Sequence, residues 1–376
     1  MKGMARLLAA TLSTALFAGA AHAVEKVTVS IISVSVYGAW YIAKEKGFAK
    51  DIDIDVKIIE DSTARNAGLS SGDIQCIMTT LDSTLVTASA GVPVKHVAVP
   101  LMSYGLDEMV VVEDIKSDAD LKGRAYAADY GFLNHMWMLL TYKRAGFPLD
   151  ESLHKVMLPQ EASAAFISGQ LDVDVNFIPF STQDLARKGS HVLKSSRTDK
   201  TWESGLISDS IACSSTWLKE KPAVAKEFIR AWFEAVDWWK ENPEEGSDIV
   251  AKGLDWSVAD TRATQQGAIM LNLNQNVGAL GLPGGKALCE SLPEGVPPAP
   301  ETASGWGKLL GGRPDCAPGY LNDTWKLFGE IYKEAGVIEK AATPEEGIDS
   351  SIIEALAAEG YAEKYASNKW VGRIAP

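Results

Sequence analysis

The sequence predicts an α/β protein built as two similar halves and completed by a helical C-terminal region. Three observations carry this. Apolar strand-like runs alternate with helix-like runs from residue 27 to about residue 100, and the alternation resumes after residue 109. Ser71-Gly72-Asp73-Ile74-Gln75 is echoed by Ser168-Gly169-Gln170-Leu171-Asp172, each run after a helix and before an apolar strand. From Thr216 onward the apolar residues recur at helical spacing. Strands alternating with helices make a mostly parallel sheet covered on both faces.

Residues 1–23 read as a secretory signal. Lys2 and Arg6 supply a basic end, residues 7–18 a short apolar core, and Ala21-His22-Ala23 a small-residue cleavage site. The apolar run falls short of the about 20 residues a spanning helix needs. No cysteine follows it closely, so a free periplasmic protein is expected after cleavage at Ala23. The first half then reads as strand 27–33, helix 39–46 closed by Gly47, strand 54–60, helix 64–70, strand 75–79, a helix capped by Asp82 and running to Ala90, and strand 94–99. The second half reads as strands 109–112 and 124–128, helix 133–145, and strands 156–158 and 173–178. Trp217, Phe228, Ile229, Trp232, Phe233, Val236 and Trp239 form an apolar helical stripe, with Pro243 as its stop. Residues 278–319, rich in Pro and Gly, read as a surface excursion before helices at 320–335 and 350–358.

The formal net charge of -13 opposes broad contact with nucleic acid or anionic lipid, since both require a basic surface. Cys289 and Cys316 bracket the Pro- and Gly-rich excursion, and a disulfide between them is expected in an oxidising compartment. Cys76 and Cys213 lie in apolar, strand-like stretches and are expected as buried free thiols. There is no Cys/His spacing of a metal site, no GxxxxGK[ST] phosphate loop and no GxSxG nucleophile motif.

A set of short motifs in shared order carries a resemblance. In the first half these are Tyr41-Ile42-Ala43-Lys44-Glu45-Lys46-Gly47-Phe48, Leu69-Ser70-Ser71-Gly72-Asp73-Ile74 and Ala90-Gly91-Val92-Pro93-Val94. In the second they are Asp120-Leu121-Lys122-Gly123-Arg124, Ser168-Gly169-Gln170-Leu171-Asp172-Val173 and Pro179, followed by Trp217-Leu218-Lys219-Glu220-Lys221-Pro222 and Glu241-Asn242-Pro243. From residue 27 to about 251 the chain resembles the nitrate, sulfonate and taurine type of periplasmic binding protein, the group that includes thiamine-pyrimidine binders. The resemblance implies two α/β lobes with the ligand in the cleft between them and two hinge strands, near residues 109–113 and 208–213. Lobe 1 would then comprise residues 24–109 and 210–376, with the helical C-terminal extension, and lobe 2 residues 110–209. It also implies a monomer without cofactor or metal, handing a small solute to a membrane ABC permease driven by a cytoplasmic ATPase. The alternative is an enzyme of pyrimidine-precursor metabolism on the same scaffold.

Loops at the carboxyl ends of parallel strands hold the expected ligand contacts. Tyr37 and Trp40 could stack on a planar group or wall a cation, their other reading being lobe packing. Thr79, Thr80 and Asp82 end the third strand and open its helix, where hydroxyls and free N–H groups suit a polar ligand; Asp82 is equally explained as a cap. The loop with Tyr130, Phe132 and Asn134 aligns with the stretch that supplies hydroxyls to the oxyanion in sulfonate binders. Here Phe132, Leu133 and Asn134 replace them, and Asn134 suits an amide, amine or ring nitrogen as well as an oxyanion. Asn176 and Phe177 stand at the expected aromatic wall of the second lobe. Asp209 and Glu108 would favour a positive nitrogen if both face the cleft, and are hinge-surface charges if not. Arg65 could reach across the cleft to a carboxylate or sulfonate group, its first reading being a solvated helix residue, and His135 could be a base in the cleft, its first reading being a structural hydrogen-bonding residue.

Overall fold

The strand–helix alternation folds as two five-stranded β-sheets joined by two chain crossings, with a separate two-stranded pair, Leu101–Ser103 and Ala268–Met270, beside the first crossing. The computed structural model describes residues 24–375, so the expected signal lies outside the described residues. In chain order the first half contains β1 (Glu25–Ile31), α1 (Ala39–Lys46), β2 (Ile52–Ile58), α2 (Ser62–Ser71), β3 (Cys76–Thr80), α3 (Leu81–Ser89), β4 (Val94–Ala98) and β5 (Leu101–Ser103). The second half contains β6 (Asp107–Val111), β7 (Tyr126–Ala128), α4 (Leu133–Ala145), β8 (His154–Val156), α5 (Pro159–Ile167), β9 (Val173–Phe177), α6 (Phe180–Asp184) and β10 (His191–Ser195). The chain then returns through β11 (Asp209–Ser214) and continues as α7 (Ser215–Glu220), α8 (Pro222–Glu241), α9 (Pro243–Leu254), α10 (Val258–Gln265), β12 (Ala268–Met270), α11 (Leu273–Leu280) and α12 (Tyr320–Glu334). No helix among the described residues is long and apolar enough to cross a membrane.

The first sheet has the order β2-β1-β3-β11-β4 and the second β10-β6-β9-β7-β8. Both are mixed: β1 runs parallel to β2 and β3, whereas β11 is antiparallel to β3 and β4, and β6 is antiparallel to β9 and β10. Since β6 pairs wholly within the second sheet and β11 wholly within the first, the crossings fall at 104–106 and 196–208, just before the expected positions. The first crossing is held by the Gly267 carbonyl, which accepts from Tyr104 N–H at 2.7 Å and Leu106 N–H at 2.8 Å. A Cβ at Gly267 would lie 2.5 Å from Leu106 Cα, so only glycine allows this approach.

Local signals explain most boundaries. Gly47 ends α1 in the left-handed region at φ 67°, and the Asp61 side chain accepts from Ala64 N–H to start α2. The apolar stripe of α8 buries Phe228, Trp232, Val236 and Trp239, and Trp40 of α1 stacks on Phe228 at 4.1 Å. α8 stops at Glu241, just before Pro243 as expected, and a new helix follows at once. Pro243 occupies the first turn of α9, where its missing N–H costs no hydrogen bond, and the chain turns at Asn242.

Two further expectations are corrected. Cys76 and Cys213 are not free thiols. They are register partners on neighbouring β3 and β11, their Cα atoms 4.0 Å apart, and form a disulfide alongside Cys289–Cys316. Residues 281–319 are also more than a surface excursion. Leu288, Trp306 and Leu310 are buried in a second apolar core with Leu81 and Leu85 of α3, Met136, Leu139 and Leu140 of α4, and Phe328 and Ile331 of α12. Trp306 packs under the Arg144 guanidinium at 3.7 Å and donates through Nε1 to the Asp199 carbonyl at 2.8 Å.

Replacing Trp232 with Ala should cost about 3–5 kcal/mol in urea denaturation, because it empties the α1–α8 contact. Alkylation of the denatured, unreduced protein should label none of the four cysteines, and prior reduction should expose all of them.

Candidate functional site

Four strand ends converge on one cavity between the sheets. Ile32 and Ser33 follow β1, Thr80 ends β3, Asp129 and Phe132 follow β7, and Phe177 ends β9. The outer chamber holds about 280 Å³ and is lined by Glu60, Arg65, Asp129, Phe132, Phe177 and Phe180, together with Leu158, Pro159 and Gln160 at the start of α5. A narrow inner recess of about 30 Å³ is lined by Tyr37, Thr80, Leu106, Asp107, Phe132, Phe177 and Asp209. Asp107 comes from the second sheet and Asp209 from the first, so the recess is completed only where the two meet.

Among the described residues, the lining of the recess holds acids and no cation. Burial pushes the Asp107 carboxyl up to about 7, with Ser103 holding it partly down through a hydrogen bond and the nearby Glu108 and Asp82 charges pushing it further up. Asp209 is raised well above the carboxylate range, first by burial and then by Asp107, and the Tyr37 hydroxyl holds it partly down. That hydroxyl lies between Asp209 and the Thr79 carbonyl, 3.3 Å away. Thr80 Oγ1 has no hydrogen-bond partner among the described residues. In the outer chamber Arg65, 2 % exposed, donates from Nη1 to the Met78 carbonyl at 3.3 Å, while its Nε has no partner among the described residues. Glu60 and Asp129 act on its charge, so the cavity as a whole is acidic with one buried cation at its outer end. The start of α5 adds the positive end of a helix dipole there.

Of the residues singled out in the sequence, Tyr37, Thr80, Phe132, Phe177 and Asp209 line this cavity, and Thr79 offers its carbonyl to Tyr37. The others do not line it. Trp40 is fully buried between Phe228 and Trp232 in the first-lobe core. Asp82 is neither lining nor cap: Thr80 is the N-cap residue, and Asp82 accepts from the Tyr332 hydroxyl at 2.6 Å behind the recess. Glu108 and Asn176 are one residue out of phase. On β6 and β9 alternate side chains face opposite ways, so Glu108 accepts from Ser181 at 2.7 Å and Asn176 donates to the Pro159 carbonyl, while Asp107 and Phe177 face the recess. Tyr130 is 46 % exposed beside His135 and His154, and Asn134 donates to the Val175 carbonyl. Asp107, Glu60, Gln160 and Phe180 are lining residues the sequence did not point to, adjacency to Glu108 being the only signal for the first, and Arg65 fits its reading as a residue reaching the cleft rather than a solvated one.

Residues 35–246 match the model of the NMT1/THI5-like family, more than half of the chain. The chain belongs to that family. Among curated proteins, a binding protein of Brucella abortus is 27% identical over 219 residues, 57% of this chain and 66% of the relative, so the match spans just under two thirds of that protein. The sulfonate-binding protein SsuA of Methylobacillus flagellatus superposes with a TM-score of 0.62 at 14% identity, covering 91% of this chain and 97% of that one. The desulfurization enzyme DSZB superposes with a TM-score of 0.54 at 12% identity, covering 89% and 99%. The NMT1/THI5-like chain described here therefore has the two-lobed periplasmic-binding-protein fold, which serves binding and catalysis alike.

The raised Asp107 carboxyl sets a pH signature. It keeps its proton in the folded protein up to about 7, whereas its unfolded value is 3.8. Between these the folded state binds more protons, so its stability falls as pH rises. The stabilisation of Asp107→Asn relative to the parent should grow from about pH 4 to about pH 7 and then level off, as measured by urea denaturation across that range.

Proposed function

We propose that this chain is the periplasmic solute-capturing component of an ABC importer and that its solute is a small organic molecule bearing a protonated nitrogen. The observation that supports this is the meeting of Asp107 and Asp209, one from each sheet, in a buried recess with no opposing cation in its lining. Two such carboxyls repel when ionised, and a ligand cation between them removes that cost. Lobe closure around the ligand would bring the two together, which couples capture to the closed shape a permease reads. Phe132, Phe177 and Tyr37 supply ring faces for the same cation. Arg65 and the start of α5 offer a second anchor for a sulfonate or carboxylate at the outer end, so a zwitterion fits the length of the cavity. This accords with the sulfonate binder among the structural neighbours while adding a demand for nitrogen. The partners on this reading are the membrane permease and its cytoplasmic ATPase, and the receptor acts as a monomer without cofactor.

Calorimetry on the purified protein tests it against an aminosulfonate, an ω-amino carboxylate, a hydroxymethylpyrimidine, simple amines, an unsubstituted alkanesulfonate and nitrate. The nitrogen-bearing solutes should include the tight ligand, recovered unchanged, and Asp209→Asn should weaken it by on the order of 2 kcal/mol, about thirtyfold. Tight binding of the unsubstituted sulfonate or nitrate would remove the nitrogen requirement. Conversion of the ligand would favour the enzyme reading that DSZB represents.

A further inference from the structure

Behind the loop that carries Asp129 and Phe132, the second lobe gathers His135 in the first turn of α4, Glu151 in the turn before β8, and His154 at the start of β8. One ligand atom from each lies within 4.8 Å of the other two. We propose that these three side chains form a binding site for a divalent metal ion of the zinc type, separate from the solute cavity.

The spacing is that of a coordination sphere. Glu151 Oε1 is 3.0 Å from His135 Nε2, and Oε2 is 3.3 Å from His154 Nδ1. Donors bound to one tetrahedral zinc at about 2.0–2.1 Å stand about 3.3 Å from each other. The protonation pattern points the same way. His154 Nε2 faces the Ala128 carbonyl at 2.8 Å, and a carbonyl only accepts, so that nitrogen carries the hydrogen. In the neutral ring Nδ1 then turns a lone pair toward Glu151 Oε2, leaving two acceptors face to face. A cation between them resolves the conflict, and a histidine whose other nitrogen donates to a backbone carbonyl is the usual support of a metal ligand.

Two features oppose loading. The His135 and His154 rings stack at 4.0 Å, so one must turn for both in-plane lone pairs to reach a single ion. Gly131 N–H points at His135 Nδ1 from 3.3 Å, and coordination through Nε2 moves the ring hydrogen to Nδ1 and forfeits that bond. At this length it is weak. Both imidazoles are almost completely buried, at 0% and 2% side-chain exposure, whereas Glu151 is 29% exposed. The carboxylate therefore opens the site to solvent, which leaves room for water in the fourth position. Two nitrogens and a carboxylate oxygen select zinc, cobalt or nickel over magnesium or calcium, which take oxygen shells. The Ala128 and Gly131 contacts also tie the cluster to the loop that lines the solute cavity.

Titration of the chelator-stripped, tag-free exported chain with Co2+ at neutral pH tests the site. One equivalent should bind with the visible absorption of a low-coordinate cobalt site, and Zn2+ should displace it and raise the Tm. His154→Ala and Glu151→Gln should each weaken Co2+ binding by about tenfold or more. Absence of cobalt uptake by the parent protein, which would mean that the cluster holds only a proton, overturns the proposal whether or not the variants fold. Uptake unchanged in both variants overturns it equally.

Discussion

The antiparallel pairing of β11 with β3 is the constraint on which the rest of the structure depends. After building the second sheet the chain returns as β11 and enters the first sheet between β3 and β4, not at an edge. The register sets Asp209 opposite Thr80 at the cleft end and Cys213 opposite Cys76 at the other, where the disulfide pins it. A slip of one residue would turn Asp209 out of the recess and Cys213 away from its partner. The bridge spans 137 residues of sequence, so it closes a loop containing the whole second lobe. In the chain-entropy view such a closure removes about 5 kcal/mol of unfolded-state freedom.

Buried acids are handled in two opposite ways on the two sides of the loop after β7. Glu151 is pushed up by burial, yet hydrogen bonds from His135 and His154 outweigh that and hold it at about 2. Asp107 and Asp209 have no cation in contact and are driven upward. The first carboxyl is held charged by imidazoles that face it, while the second pair is left to burial and mutual repulsion. Carboxyls of the second kind, perturbed by burial inside a cleft, are the feature on which the proposed solute contacts rest.

Much of the architecture was legible in the sequence. Residues 39–46 and 133–145 are helices with the bounds read from the sequence, the first closed by Gly47 as expected. What was missed depends on partners far away in the chain. β6 is buried on both faces, so its hydrophobicity does not alternate and gives no sign that Asp107, not Glu108, faces the cleft. The polar sequence of α2 hides that Arg65 is covered by groups from distant elements. The Cys76–Cys213 bond follows from strand register, which no spacing reveals. Trp306 lay in a stretch without periodicity and proves to be core.

The second apolar core has a consequence for how the two halves stay together. It joins α3 of one half to α4 of the other through α12 and residues 281–319, and Tyr332 fastens the seam by donating toward Asp82 and the Phe132 carbonyl. Separation along this flank would wet Met136, Leu139 and Leu140 together, a penalty that grows with the apolar area uncovered. The two crossings and this apolar flank therefore act together as a spine that ties the two halves to each other.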